Sequence, residues 1–242
     1  MRLGTRLDAI PVRPLLRPER GGAEARQMSV VWRDEEAREL FRVAELETLE
    51  QFAEAETGEI VDRSRTRRLA RLPLGERVFW IKVQDLRRAR LHPSRWPSYA
   101  FRGSPIKREA KALTTLRQHG FRTPELIASG AARGLVMPKL AVLITEEVAG
   151  HTDLVRWLAD RPKNAGAALD AADELVRRVH ERGLVLLGAK YRNILIPTHG
   201  TDDASMLTLL DQPDLRASSS RRLRDKDRRL MRHDRERYGA AG

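Results

Sequence analysis

Cysteine is absent from the 242-residue chain, which excludes a disulfide framework, a thiolate zinc centre and a cysteine nucleophile. No apolar run approaches the roughly 18 residues that a bilayer-spanning helix needs. The first residues hold neither an apolar segment nor a small-residue cleavage site, so export is not expected. What abounds is positive charge. The 46 Lys and Arg outnumber 34 Asp and Glu, for a net charge of +12 and a pI near 10.8. Such a chain suits an anionic partner, whether nucleotide, phosphorylated glycan, nucleic acid or the inner face of a membrane. Nucleic acid is not the expected one. Aromatic residues make up only 5% of the chain and are not interleaved with its basic clusters, as base stacking would need. The 41% hydrophobic content is enough for a sizeable core, and the length suits one large domain or two lobes.

Residues 1–27 carry six arginines among prolines and glycines with no sustained periodicity, and read as a mobile arm. Asp34 suits an N-cap, and Leu40, Phe41, Ala44, Leu49 and Phe52 share a face, so a single helix is predicted over 34–55. Residues 65–71 and 78–83 predict a hairpin with a basic edge, turned at Pro73-Leu-Gly75. Ser104-Pro105 opens a helix in which Ile106, Ala110, Leu113 and Leu116 recur at helical spacing until Gly120. Short apolar runs at 126–128, 135–137 and 140–144 predict a small sheet. Past Ala149-Gly150 the pattern turns to helices, over 154–158 and 167–182. The expectation is therefore an α+β protein with an N-terminal part over 28–148 and a C-terminal part over 149–242. Over 221–237, nine basic residues face four acidic ones beside a narrow apolar stripe, predicting a basic-coated helix that could lie on anionic lipid.

Two places in this pattern carry chemistry. Asn193-Ile-Leu-Ile-Pro197 and Met206-Leu-Thr-Leu-Leu-Asp211 flank a polar loop, and antiparallel pairing about residue 202 places Asn193 opposite Asp211. An amide oxygen beside a carboxylate suits Mg²⁺, which keeps waters and phosphate oxygens as its other ligands. The plainer alternative is a turn-capping asparagine and an aspartate that ends a strand. Lys82 sits in the apolar strand Phe79-Trp-Ile-Lys82, where it needs a counter-charge or a phosphate, and Glu109 lies on the helix that follows. A snorkelling lysine and a solvated glutamate are the alternative there.

Taken in order, the strand lysine, helix glutamate, change of architecture, Asn193 and Asp211 resemble a protein-kinase-like fold. More narrowly, the chain resembles the lipopolysaccharide kinase family, bacterial enzymes that phosphorylate heptose or Kdo sugars of the lipopolysaccharide inner core. The phrases that carry the likeness are Phe79-Trp-Ile-Lys82, Lys107-Arg-Glu109, Gly120-Phe-Arg-Thr-Pro124, Leu143-Ile-Thr-Glu-Glu147, Val179-His180-Glu-Arg-Gly183, Tyr191-Arg-Asn193 and Leu209-Leu-Asp211. The resemblance implies a small sheet-rich N-lobe, a mainly helical C-lobe, and ATP- and Mg²⁺-dependent phosphoryl transfer to a sugar hydroxyl. It implies that Lys82 contacts the α/β-phosphates and pairs with Glu109, that Glu146, Glu147 and Val148 form the hinge against adenine, and that Asn193 and Asp211 hold the metal. Gly58 is the lone glycine available for a phosphate-covering turn, and Trp80 stands where many protein kinases keep a small residue. An anionic phosphorylated glycolipid or sugar is the implied partner, met in the cytoplasm or at the inner face of the cell membrane.

One departure is serious. The kinase pattern H-R-D-x-x-x-x-N puts its catalytic aspartate five residues before the metal-binding asparagine, and here that residue is Gly188, with Leu186 in the histidine position. General-base help of about 10²- to 10⁴-fold is thereby missing. Two readings stay open: a kinase in which another group, Lys190 or Asp214, compensates, and a pseudokinase that holds nucleotide without transferring phosphate. Lys190 could neutralise charge on the transferring group, or could be a surface lysine. The clusters Arg65, Arg67, Arg68, Arg71 and Arg87, Arg88, Arg90 are either solvated faces or forks for substrate phosphates. His180 reads as a structural histidine that bonds the nearby loop.

Overall fold

A computed structural model describes residues 30–87, 103–133, 138–160, 163 and 165–239. The arm over 1–27, the run 135–137, Arg88 and Arg90 lie outside the described residues. The chain opens with β1 (Val31–Trp32), α1 (Glu35–Val43) and α2 (Leu49–Glu54). Asp34 caps α1 as expected, its side chain accepting from the Ala37 N–H. The single helix over 34–55 is corrected to two. Glu45 takes a left-handed φ of 58°, and Thr48 and Gln51 form a reciprocal capping box that starts a new helix. The local cap overrides the longer periodicity, and Phe41 and Phe52 still both point into the core.

Six antiparallel strands form the main sheet in the order β1-β5-β6-β4-β3-β2. β2 is Glu59–Arg63, β3 Arg67–Leu74, β4 Arg77–Asp85, β5 Leu126–Arg133 and β6 Pro138–Glu146. The hairpin of β3 and β4 matches the expectation, but its turn is Gly75-Glu76, with Gly75 at φ 61°. Pro73 remains in β3 opposite Val78, in a stretch that β2 does not reach, since β2 begins at Glu59 opposite Arg71. β2 itself has no counterpart in the sequence reading because all five of its residues are exposed, so neither face shows alternation.

Alternation along β4 sorts its residues to two faces. Phe79, Ile81 and Val83 join the core beneath α1 and α2. There the scarce aromatics are concentrated: the Phe41 and Phe79 rings meet edge-on at 5.0 Å, with Trp32 5.3 Å and Phe52 5.8 Å from Phe41. Trp80 and Lys82 face the other way, toward α3 (Pro105–Gln118). α3 starts at the Ser104 cap with Pro105 in its first turn, is followed past its His119 cap by Gly120 at φ 84°, and packs Ile106, Ala110 and Leu113 against Leu126, Ala141 and Leu143.

The second half contains β7 (His151–Asp153), α4 (Leu154–Ala159), α5 (Ala165–Glu181), β8 (Leu184–Val185), β9 (Ile194–Pro197), β10 (Thr208–Leu209), β11 (Arg216–Ala217) and α6 (Arg221–Gly239). β9 pairs with β7 and β10, and β8 with β11. Its core is built from leucines and alanines of α4 and α5 with Tyr191, Ile194, Ile196, Leu209 and Met231. The β9–β10 hairpin forms, but its register is one residue from the predicted one: Ile194 opposes Leu209, and the Asn193 carbonyl accepts the Leu210 N–H at 2.8 Å. A 3₁₀ turn at Ala204–Met206 occupies one side of the loop, so the loop is not symmetric about residue 202. Among the described residues no helix is long and apolar enough to cross a membrane.

Because Phe79 is fully buried at the centre of the aromatic cluster, Phe79→Ala should cost about 3–5 kcal/mol, read as a lowered urea midpoint at unchanged slope.

Candidate functional site

Between the sheet and the helical half lies a cleft of about 710 Å³, within the usual range for small-molecule sites. At its back Lys82 projects from β4, and its Nζ donates to both carboxylate oxygens of Glu109, each at 2.7 Å, and to Asp211 Oδ1 at 3.2 Å. The three groups come from β4, from α3 and from the segment after β10, so the expected Lys82–Glu109 pair is formed and Asp211 joins it. Burial works to lower the Lys82 ammonium, and the two carboxylates outweigh it, leaving the ammonium above its usual value. For Asp211 burial pushes upward, but Lys82 and its other partners hold the carboxyl below the usual range. Glu109, whose side chain is only 9% exposed, goes the other way: burial outweighs the attraction of Lys82 and pushes its carboxyl up to about 7.

The predicted hinge, Glu146-Glu147-Val148, lines the same cleft. Its two carboxylates are already engaged. Glu146 takes Arg77 through both oxygens at 2.8 and 2.9 Å, and Arg77 also reaches Asp34 at 2.7 Å. Glu147 takes Arg71 at 2.6 and 2.9 Å and the Trp80 indole N–H at 3.1 Å. This segment can therefore meet a base chiefly through its main chain, while Trp80, tethered to Glu147, forms part of the wall.

Asn193 and Asp211 also line the cleft. The Asn193 Nδ2 donates to the Asp211 carbonyl at 3.4 Å, which leaves the amide oxygen for a cation. Asp211 has a left-handed φ of 44°, a strained backbone that turns it out of the strand direction. An amide oxygen just before β9 and a carboxylate just past β10, with Lys82 alongside, fit a magnesium ion that completes its shell with water and phosphate.

The loop between β8 and Asn193 is held from outside the cleft. The fully buried Asp227 of α6 accepts the Leu186 N–H at 2.8 Å and lies 3.1 Å from His180 Nε2 through the same oxygen. Asp234 of α6 accepts the Tyr191 N–H at 2.9 Å. His180 thus has the structural role expected of it, though its partner is a helix residue 47 positions away. Leu186 is buried, Leu187 takes φ 60°, and Gly188 is half-buried. Lys190 is half-buried and lies outside the cleft lining, its carbonyl accepting the Asn193 N–H at 2.9 Å. Asp214 lies 3.7 Å from Arg108, also outside that lining. Gly58 precedes β2 and is no part of the lining; a Cβ there would come within 2.4 Å of the Arg71 carbonyl, so the glycine serves strand packing. Sequence reasoning missed Thr145, Asp153, Arg156 and Arg192, all of which line the cleft, because isolated polar residues give no distinguishing signal.

The raised Glu109 carboxyl has a measurable consequence. Between about pH 4.5, the ordinary glutamate value, and about 7, the folded chain keeps a proton that the unfolded chain releases, so stability falls as pH rises through that window. In Glu109→Gln this part of the slope should vanish when denaturant midpoints are compared at pH 5 and 7.5.

The sequence profile of the Kdo: Lipopolysaccharide kinase (Kdo/WaaP) family matches residues 50–238. Among curated proteins none matches. Among solved structures, WaaP in complex with acyl carrier protein superposes with a TM-score of 0.63 at 19% identity, covering 86% of this chain and 81% of that one. A co-crystal structure of WbdD with a kinase inhibitor gives 0.46 at 17% identity, covering 66% and 33%. The structural likeness to WaaP establishes the kinase fold that the lysine, glutamate, asparagine and aspartate suggested. With more than three quarters of its length matched, the chain belongs to the lipopolysaccharide kinase (Kdo/WaaP) family.

Proposed function

We propose that this chain transfers the γ-phosphoryl group of ATP to a sugar hydroxyl of the lipopolysaccharide inner core, with Mg²⁺ bound by Asn193 and Asp211. The observation that carries the reading is the Lys82 ammonium bonded at once to Glu109 and Asp211 at the back of the cleft. Glu109 aims Lys82, and Lys82 in turn reaches the α/β-phosphates; the 146–148 segment receives adenine. A bound magnesium ion would neutralise charge on the β- and γ-phosphates. Residues 28–148 and 149–242 act as the two lobes that close on the nucleotide.

Phosphoryl transfer depends mainly on position and charge, so a chain without the loop carboxylate retains most of the machinery. Lys190, two residues past Gly188, is our candidate for neutralising the transferring group; its flexible stem would carry the ammonium in by a rotamer change. The acceptor is an anionic phosphorylated glycolipid or sugar, met in the cytoplasm. Two exposed arginines of α6, Arg221 and Arg229, would face anionic lipid at the inner membrane surface.

Gly188 offers the test. Its φ is not left-handed, and a Cβ built there meets no atom within 4 Å, so Gly188→Asp fits without strain. With labelled ATP and core oligosaccharide, the natural chain should transfer slowly, Asp211→Asn should abolish transfer, and Gly188→Asp should raise it by about 10²- to 10⁴-fold. Transfer by Gly188→Asp with none by the natural chain would overturn the proposal.

A further inference from the structure

The hairpin turn between β2 and β3 follows on from the cleft-lining residues Val61 and Leu69, at the end where Leu69 opposes Lys82, and it is built unlike a phosphate-binding turn. A glycine-rich turn presents bare backbone N–H groups to an anion. Here the residues from Arg63 to Arg68 include no glycine, and two of the turn's backbone donors are spent internally. The Ser64 N–H bonds the Arg67 carbonyl at 2.8 Å, and the Arg67 N–H bonds Ser64 Oγ at 3.2 Å. The Thr66 carbonyl accepts the Asp85 N–H at 3.0 Å, which fixes the turn to the end of β4. With no glycine to bring its backbone close to an anion, the turn offers arginine side chains instead.

Its arginines divide by what already holds them. Arg63 is paired with Glu56 at 2.7 Å, Arg68 bonds the Phe52 carbonyl, and Arg71 is committed to Glu147. Among the described residues, no carboxylate lies within ion-pair distance of Arg67. Arg67 is exposed, and it sits two and four residues before Leu69 and Arg71, which both line the cleft, so strand alternation puts it on their face. In register it opposes Gln84, two residues beyond the pair Leu69 and Lys82 and on the side away from the 146–148 segment.

We propose that Arg67 grips the terminal phosphates of the nucleotide, its guanidinium taking the part that a glycine-rich turn would play. The inference rests on the nucleotide reading above. A planar fork can hold two phosphate oxygens at once, and one mounted on an anchored turn loses little freedom in doing so.

The test compares ATP, AMP and adenosine binding to the full chain with Mg²⁺ by calorimetry, in the natural protein, Arg67→Ala, Arg67→Lys and Arg222→Ala. Arg222, on α6, controls for a general loss of positive charge. Arg67→Ala should weaken ATP about tenfold and leave AMP, adenosine and the thermal midpoint unchanged, with Arg67→Lys intermediate and Arg222→Ala like the natural chain. Equal ATP affinity in the natural protein and Arg67→Ala would overturn the inference while leaving the nucleotide site intact. So would a parallel loss of ATP and adenosine binding, which would make Arg67 a structural residue of the turn. A natural chain that binds neither ATP nor adenosine would overturn the nucleotide reading itself, and this inference with it.

Discussion

One ammonium shared by two carboxylates ties together a strand, a helix and a loop that lie far apart in the chain. Lys82 cannot stay charged behind the sheet without Glu109, and Asp211 would be costly so close to Glu109 without Lys82 between them. The rest of the cleft is arranged around that cluster. α3 must be capped and seated so that Glu109 faces β4, and the β9–β10 hairpin must close so that Asp211 arrives beneath it. The burial that pushes the Glu109 carboxyl upward also leaves Asp211 the more firmly ionised of the two, and that is the carboxylate best placed for a cation.

The two cores answer the same packing problem with different materials. Few aromatics are present, and four of them, Trp32, Phe41, Phe52 and Phe79, are spent on the single contact between α1, α2 and the sheet. The helical half uses alanine instead: Ala168, Ala171 and Ala172 let α5 approach its neighbours closely, with leucines filling the remaining space. Surface charge does further work at the seam. Arg71 and Arg77, which in sequence look like members of a solvated basic run, clamp the 146–148 segment through Glu147 and Glu146.

Those parts of the site governed by local rules were legible in the sequence. A lysine inside Phe79-Trp-Ile-Lys82 announces a buried partner, and Ser104-Pro105 announces the helix that brings it. The Asn193–Asp211 meeting was legible as a hairpin, although the register came out one residue away because Ala204–Met206 coils into a 3₁₀ turn. What escaped had no local signature. β2 is exposed on both faces, Thr48 and Gln51 interrupt a helical period that otherwise reads as continuous, and the Arg71–Glu147 pair joins residues 76 positions apart. The same distance effect hid the separate fates of Arg63, Arg67, Arg68 and Arg71, which only a third dimension can sort.

The loop that carries Gly188 is moored to the last helix at both ends, by Asp227 to Leu186 and by Asp234 to Tyr191. Neither aspartate touches the cleft, and both lie within the final stretch of chain. A proteolytic nick or premature stop codon ahead of Asp227 would thus unlatch the segment that carries Gly188 while sparing every residue that lines the pocket. The chain's most charged and outwardly dispensable helix is a doorstop for its chemistry.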